Sequence, residues 1–380
     1  MKVESAGENP LMDTKDDQPQ SRRQWLAASL VAPIGMAQAN TGGANAVTEG
    51  RKTLRLMSAW PSTSTGFAAL LGRASRKIAE MSGGSLQIEV VYADQTKKSA
   101  LQIYDAVASG EFDLSHATPY YWTGRSAAFN FFSTVPFGML PVEHYSWLRY
   151  GGGHELWKQL CAPTGVVPIP CGNSGVQMGG WMRKPIDSLQ SLKGLKLRYP
   201  GLGGEVLRAL GATPVTLPAI EIISALRDGR IDGAEWVSPW PDLDMGLHQV
   251  CNYYYAPGFH EPGHTAEMLV NQRVWEKLSS AHKAILETYG WGEFMEMQAH
   301  FYHENARSLD RLRSIKTLQV LRYPNDVVKA FRLKTPEVVR AAVETDPFGK
   351  TVHDSYYGYL RQQLRWAELS DRAYWQARYI

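Results

Sequence analysis

Two stretches of this chain repeat one pattern, and that pattern dictates a fold class. "DAVASGEFDLSHA" (105–117) and "SALRDGRIDGAEW" (224–236) each read as a helix, a glycine, two residues, an aspartate and a short apolar strand. Gly110 and Gly229 stand where a helix ends in the left-handed conformation, which strains most residues but not glycine. A helix that turns straight into a buried strand belongs to an α/β sheet with largely parallel strands. The surrounding text agrees. "TLRLMSAW" and "LQIEVVYA" read as strands around a helical repeat at 67–81 that stops at Gly83-Gly84. "KLRYP" is a further strand, followed by a glycine turn and the helix "EVLRALGA"; from Asn271 the chain is mostly helical. Ligands in open α/β sheets sit just beyond the carboxyl ends of strands. Those ends deliver Pro119-Tyr120-Tyr121-Trp122 and Glu235-Trp236, which are expected to face each other across one cleft.

The N-terminal sequence predicts export. Residues 1–20 are polar and aperiodic, and Arg22-Arg23 then precede a short, mildly apolar run ending in Ala37-Gln38-Ala39, a small-x-small cleavage site. The paired arginines resemble a twin-arginine signal; an ordinary secretory signal with a long charged region is the other reading. Residues 1–39 are thus read as an export signal and 40–50 as a linker, which places the mature protein in the periplasm. A net charge of +3 is too small to argue for nucleic acid. Three cysteines suit an exported protein without a disulfide framework. Cys161 and Cys171 can bridge a loop or stay free, and Cys251 reads as a buried thiol.

Several residues are candidates for a site. Arg198 ends a strand just before a glycine turn and a helix start, where its planar fork suits a carboxylate and the helix N-terminus adds partial positive charge. A structural ion pair is the alternative reading. "GLGG" (201–204) is not a dinucleotide fingerprint, because Val206 fills the third glycine position. "HEPGH" (260–264) matches the zinc-protease string, but Pro262 and Gly263 break the helix that would align its histidines. It is read as a loop that carries the Glu261 carboxylate. Gln177, in "GNSGVQMGGW", is read as lying in a short strand, with an amide oxygen suited to a hard cation. No nucleophile elbow occurs and no spacing groups acids and histidines for acid–base work, so no catalytic residue is assigned, while a site assembled in space stays open.

Six ordered blocks carry a family resemblance: "DAVASGEFDLSHATPYYW", "FFSTVPFGM", "GNSGVQMGGW", "LKLRYPGLGGEVLRALGATPV", "LRDGRIDGAEWVSPW" and "YYYAPGFHEPG". Over about 53–359 the chain resembles the periplasmic solute-binding proteins of TRAP transporters, on the branch that binds 2-oxo and 2-hydroxy monocarboxylates. The resemblance implies two α/β lobes, a type II-like periplasmic binding fold, with the ligand cleft between them and a long C-terminal helical region. Residues 51–150 would form mainly lobe 1 and 151–235 mainly lobe 2. Residues 236–270 would cross between lobes, and 271–380 would span both, with a helix for dimerisation.

The same resemblance implies a ligand set. Tyr120, Tyr121, Gln177, Arg198 and Glu235 would touch the substrate, with Arg198 gripping its carboxylate. Gln177, Glu235, Glu261 and the Trp236 carbonyl would hold a calcium or sodium ion. Two glutamates and a substrate carboxylate against Arg198 are balanced by calcium and not by sodium, unless a nearby histidine changes the count. Arg198 and Glu235 are expected on different lobes. The implied partners are the small monocarboxylate, the small and large membrane subunits, and a second copy of the chain. "SAWPSTSTGF" departs from the usual glycine-rich opening block, so contacts to the ligand's tail do not carry over. The alternative is a receptor for C4-dicarboxylates or sugar acids that needs no metal.

Overall fold

Among the described residues the strands fall into two sheets. The structure is a computed structural model and describes residues 50–380 apart from 216 and 218. The export signal read at 1–39, and the linker up to residue 49, lie outside the described residues.

The first sheet contains β1 (Lys52–Ser58), β2 (Leu86–Val91), β3 (Leu114–Ala117), β4 (Val166–Asn173) and β10 (Thr265–Asn271), in the order β2-β1-β3-β10-β4. The second contains β5 (Gly180–Met182), β6 (Lys196–Arg198), β7 (Thr213–Val215), β8 (Gly233–Ala234), β9 (Tyr253–Ala256) and β11 (Gln319–Arg322), in the order β11-β9-β5-β8-β6-β7. The repeated pattern builds β3 in one sheet and β8 in the other, each parallel to its neighbour β1 or β6. β10 runs antiparallel between β3 and β4.

Side-chain alternation along the strands splits the core of the second sheet. Met182 and Tyr255 join a cluster with Leu197 and Phe331, while their neighbours Trp181 and Tyr254 join another with Ile222 and Leu247. The first sheet is covered by the amphipathic helix Phe67–Met81 and by Ser280–Arg313, whose Glu293 pairs with Arg73 of the former. Ser280–Arg313 also packs on Pro239–Met245, and Pro347–Leu369 returns to the helices of the first half, Pro141–Tyr150 and Gly153–Cys161. No helix of the described residues is long and apolar enough to cross a membrane.

The second half begins later than the expected division at 151. β4 lies in the first sheet, so the chain crosses over only after Asn173. Nothing in a single apolar strand says which of two sheets it will join. The helical stretch after 271 also contributes one strand, β11, to the second sheet.

All three cysteines are buried and free, so the Cys161–Cys171 bridge does not form. Burial pushes all three thiols up. A thiol reagent should label none of them in the native protein and all three after denaturation, and reductant should leave the melting temperature unchanged.

Every residue of β10 is buried, including one carboxyl. Trp122 Nε1–H donates to Glu267 Oε1, while Oε2 has no partner. Burial pushes this carboxyl up to about 8, against about 4.3 in an unfolded chain. The folded chain keeps a proton that the unfolded chain has lost. Stability from this group is therefore full below about pH 4.3 and falls by about 1.4 kcal/mol per pH unit as pH rises through the window. Glu267→Gln keeps an oxygen for Trp122 and removes the titration. Its melting temperature should exceed wild type by a margin that grows from about pH 5 to 8; a calorimetric pH series showing parallel curves would refute this.

Candidate functional site

Arg198 is the last residue of β6, and its register partner Ala234 is the last of β8. The Glu235 N–H donates to the Arg198 carbonyl at 3.0 Å, which extends the pairing one residue past the strand. Arg198 and Glu235 therefore come from adjacent strands of one sheet, contrary to the expectation of different lobes. The Arg198 Nη1 donates to the Glu235 carbonyl at 2.7 Å and to its Oε2 at 3.0 Å, and Nε reaches the Leu217 carbonyl at 3.5 Å. These bonds leave the Nη2 hydrogens of the fork for another acceptor. The guanidinium lies 5.5 Å from the Trp236 ring centroid.

The 257–264 crossover brings in two more groups. It lies against the 174–179 crossover: the Gly258 N–H donates to the Gln177 carbonyl at 2.9 Å, and the Gln177 N–H to the Glu261 carbonyl at 3.1 Å. Gln177 is thus in a crossover and not in a strand as read from the sequence. Its Nε2 donates to Ser174 Oγ at 3.0 Å, and its Oε1 is buried without a partner. Tight packing holds the second crossover in place. The glycines of "GLGG" open the helix Gly201–Ala209 and do not form a preceding turn, and a Cβ on Gly203 would lie 2.4 Å from the His260 Cβ.

His260 is the residue that the sequence reading missed. Its ligand atom, one oxygen of Glu235 and one of Glu261 all lie within 4.8 Å of one another. The Tyr199 hydroxyl donates to the Gly179 carbonyl at 3.1 Å and lies 2.9 Å from His260 Nδ1. The Tyr199 contact orients the ring and leaves Nε2 turned toward Glu235. Among the described residues Nε2 has no hydrogen-bond partner, and it sits 3.6 Å from Glu235 Oε1. "HEPGH" was correctly read as a loop, and His264 turns elsewhere, to Thr118 Oγ1 at 2.7 Å. The useful signal was the His-Glu pair, detached from the zinc string.

Tyr120 and Tyr121 come from the turn after β3, their rings 5.3 Å apart at the centroids. Burial raises the Tyr120 hydroxyl well up, with Glu261 next in effect; burial pushes Tyr121 up to about 12, against Arg198. Burial also pushes the Glu261 carboxyl well up; Glu235 adds to this and Arg198 opposes it. The space left beside Tyr120, His260 and Glu261 is a cavity of about 10 Å³. The structure thus gathers Tyr120, Tyr121, Arg198, Glu235 and Glu261, with the Gln177 backbone bonded to Glu261.

The Trp236 carbonyl is aimed by a neighbour. The Val237 and Ser238 N–H groups donate to Asp242 Oδ1 at 3.0 Å, and Trp181 Nε1–H and Tyr254 O–H donate to Oδ2 at 2.8 Å. The Trp236–Val237 peptide is trans and planar, so an N–H held toward Asp242 turns the Trp236 carbonyl away from it.

The family model of the bacterial extracellular solute-binding proteins, family 7, matches residues 57–346. The chain belongs to this family. Its relatives include the monocarboxylate 2-oxoacid-binding periplasmic protein of Nostoc sp., 32% identical over 92% of this chain and 95% of the relative. Two solved TRAP periplasmic solute-binding proteins share its fold at a TM-score of 0.82 and 36% identity, each over 86% of this chain and 99% of the other. That of Colwellia psychrerythraea holds calcium and pyruvate, and that of Pseudoalteromonas atlantica holds sodium and pyruvate. Family 7 proteins are periplasmic solute receptors.

Proposed function

We propose that this protein captures a short 2-oxo or 2-hydroxy monocarboxylate together with a hard cation, calcium or sodium, and delivers it to the small and large membrane subunits of a TRAP transporter. The observation that carries this reading is a buried cluster beside Arg198: one ligand atom each of Glu235, His260 and Glu261, all within 4.8 Å of one another. Carboxylates packed this closely fit a hard cation, which wants several oxygens. Glu235, Glu261, Gln177 Oε1 and the Trp236 carbonyl would hold it. Bound there, the cation supplies the positive charge that lets three carboxylates share one water-poor site.

Arg198 offers its free Nη2 edge to the ligand carboxylate, and Tyr120 and Tyr121 cover the ligand from the first sheet. A ligand that touches both sheets and the crossovers shifts the open–closed equilibrium, because only the closed form makes every contact. Counting Glu235, Glu261, the ligand carboxylate and Arg198, calcium balances the filled site and sodium leaves it at −1. Export by the twin-arginine route, and a homodimer through the exposed Leu364, Trp366 and Leu369 of the C-terminal helix, belong to the same proposal; light scattering tests the dimer.

The test uses mature protein stripped of metal by a chelator. Pyruvate, lactate and longer 2-oxo acids are titrated with calcium, sodium or neither. A ligand at 100 times its dissociation constant should add ~2.7 kcal/mol of stability. Stabilisation only when acid and cation are both present supports the reading. A response to C4-dicarboxylates or sugar acids alone, with metal irrelevant, overturns it.

Asp242 gives a finer check. Asp242→Asn keeps the shape but puts an amide where two donors point, which loosens the Trp236–Val237 peptide. The variant should stay folded by circular dichroism and bind calcium about 10–100-fold more weakly. Unchanged calcium affinity would leave Asp242 a structural residue.

A further inference from the structure

The Trp236 ring is shared by both halves of the molecule. It packs against the core of the first sheet and against the cluster on one face of the second. It carries the Arg198 guanidinium 5.5 Å from its centroid. It also walls a cleft of about 320 Å³, lined by Pro61 and Thr65 from the loop after β1 and by Ile220, Ile223 and Met245 from the second half. The space beside Tyr120, His260 and Glu261 is only about 10 Å³. Trp236 lines the large space and not the small one, and Arg198, Glu235 and Glu261 do not line the large one.

We propose that Trp236 is the specificity-determining residue for ligand length: its ring closes the site off from this cleft and confines the ligand to a short side chain. The proposal rests on the 2-oxo acid reading above. The cleft has the chemistry of an alkyl tail subsite. Its apolar lining is proline, isoleucine and methionine, and its hydroxyls come from the 63–65 segment. Asp244 also lines it and is exposed, so a second carboxylate on the tail meets like charge there. Shortening the indole would open the Arg198 side of the ring to this cleft and admit neutral tails of several carbons.

One extra methylene in an apolar pocket changes discrimination by roughly 10–200-fold. The experiment measures dissociation constants by calorimetry for pyruvate, 2-oxobutanoate, 2-oxovalerate and 2-oxohexanoate, with 2-oxoglutarate as the dicarboxylate, all with calcium. Wild type should weaken along the series. Trp236→Leu keeps an apolar side chain between the two cores and should raise the 2-oxovalerate-to-pyruvate affinity ratio by about tenfold or more. It should leave 2-oxoglutarate unbound. Adding Ile223→Phe to Trp236→Leu refills the cleft from its far wall and should return the preference to pyruvate.

A ratio is insensitive to a general loss of affinity, so a merely structural role for the ring predicts uniform weakening with the order unchanged. That result overturns the proposal, as does a wild type that already binds the longer acids as tightly as pyruvate. If wild type binds no 2-oxo acid with any cation, the reading of the function fails as well, and the two failures are distinguishable.

Discussion

Arg198→Ala should abolish ligand binding and weaken the fold at the same time. The guanidinium pairs with Glu235, and both side chains are buried, at 10% and 2% exposure. Removing one partner of a buried pair leaves the other unpaired, which costs ~3–5 kcal/mol. The same change removes the fork proposed to hold the ligand carboxylate. Truncating a buried, hydrogen-bonded charge in a binding site costs about 2–5 kcal/mol, a loss on the order of 30- to 5,000-fold in affinity. Arg198→Lys should restore much of the stability and little of the affinity, because an ammonium cannot reach the Glu235 carbonyl, its carboxylate and a ligand in one plane. Calorimetry with pyruvate and calcium, beside thermal melts without ligand, separates the two effects. Full affinity in the lysine variant would remove Arg198 from its proposed role.

Glu261→Gln should act with opposite signs on the metal-free and metal-bound protein. Burial and Glu235 push the Glu261 carboxyl well up. A carboxyl raised on folding contributes stability that is lost as pH rises from its unfolded value through its folded one. Glutamine removes that loss, so the chelator-treated variant should melt higher than wild type at neutral pH. Calcium should then add little. Outer-shell substitutions already cost about 10–100-fold in metal affinity, and loss of a charged ligand should reach the top of that range or pass it. A variant whose melting point still climbs with calcium as wild type does would exclude Glu261 as a ligand.

Much of this architecture could be read from local signals. The helix Phe67–Met81 was predicted with its bounds, because its apolar repeat ends at paired glycines. Gly110 and Gly229 take the positive φ that their positions after a helix demanded, 86° and 72°. The strand-end argument placed Tyr120, Tyr121 and Glu235 near one another, since chemistry at the carboxyl edge of a sheet follows from connectivity alone. What escaped was long-range. The pairing of β6 with β8, which makes Arg198 and Glu235 neighbours, depends on strand order. The membership of β4 in the first sheet depends on a partner, β10, about a hundred residues away. His260 was set aside with the motif that contained it, although the loop that disqualified a zinc helix is what carries its ring to Glu235.

The raised Glu261 carboxyl gives the proposed mechanism a logical character. With a proton on Glu261, the empty cleft closes without net charge, Arg198 offsetting Glu235. An anion alone leaves one negative charge in excess. A calcium ion alone, with Glu261 ionised, leaves one positive charge in excess. With calcium as the cation, only the pair restores neutrality, and burying unbalanced charge is costly. On the proposed reading the cleft is then a coincidence detector, in which either component entering by itself is met by an electrostatic veto on closure.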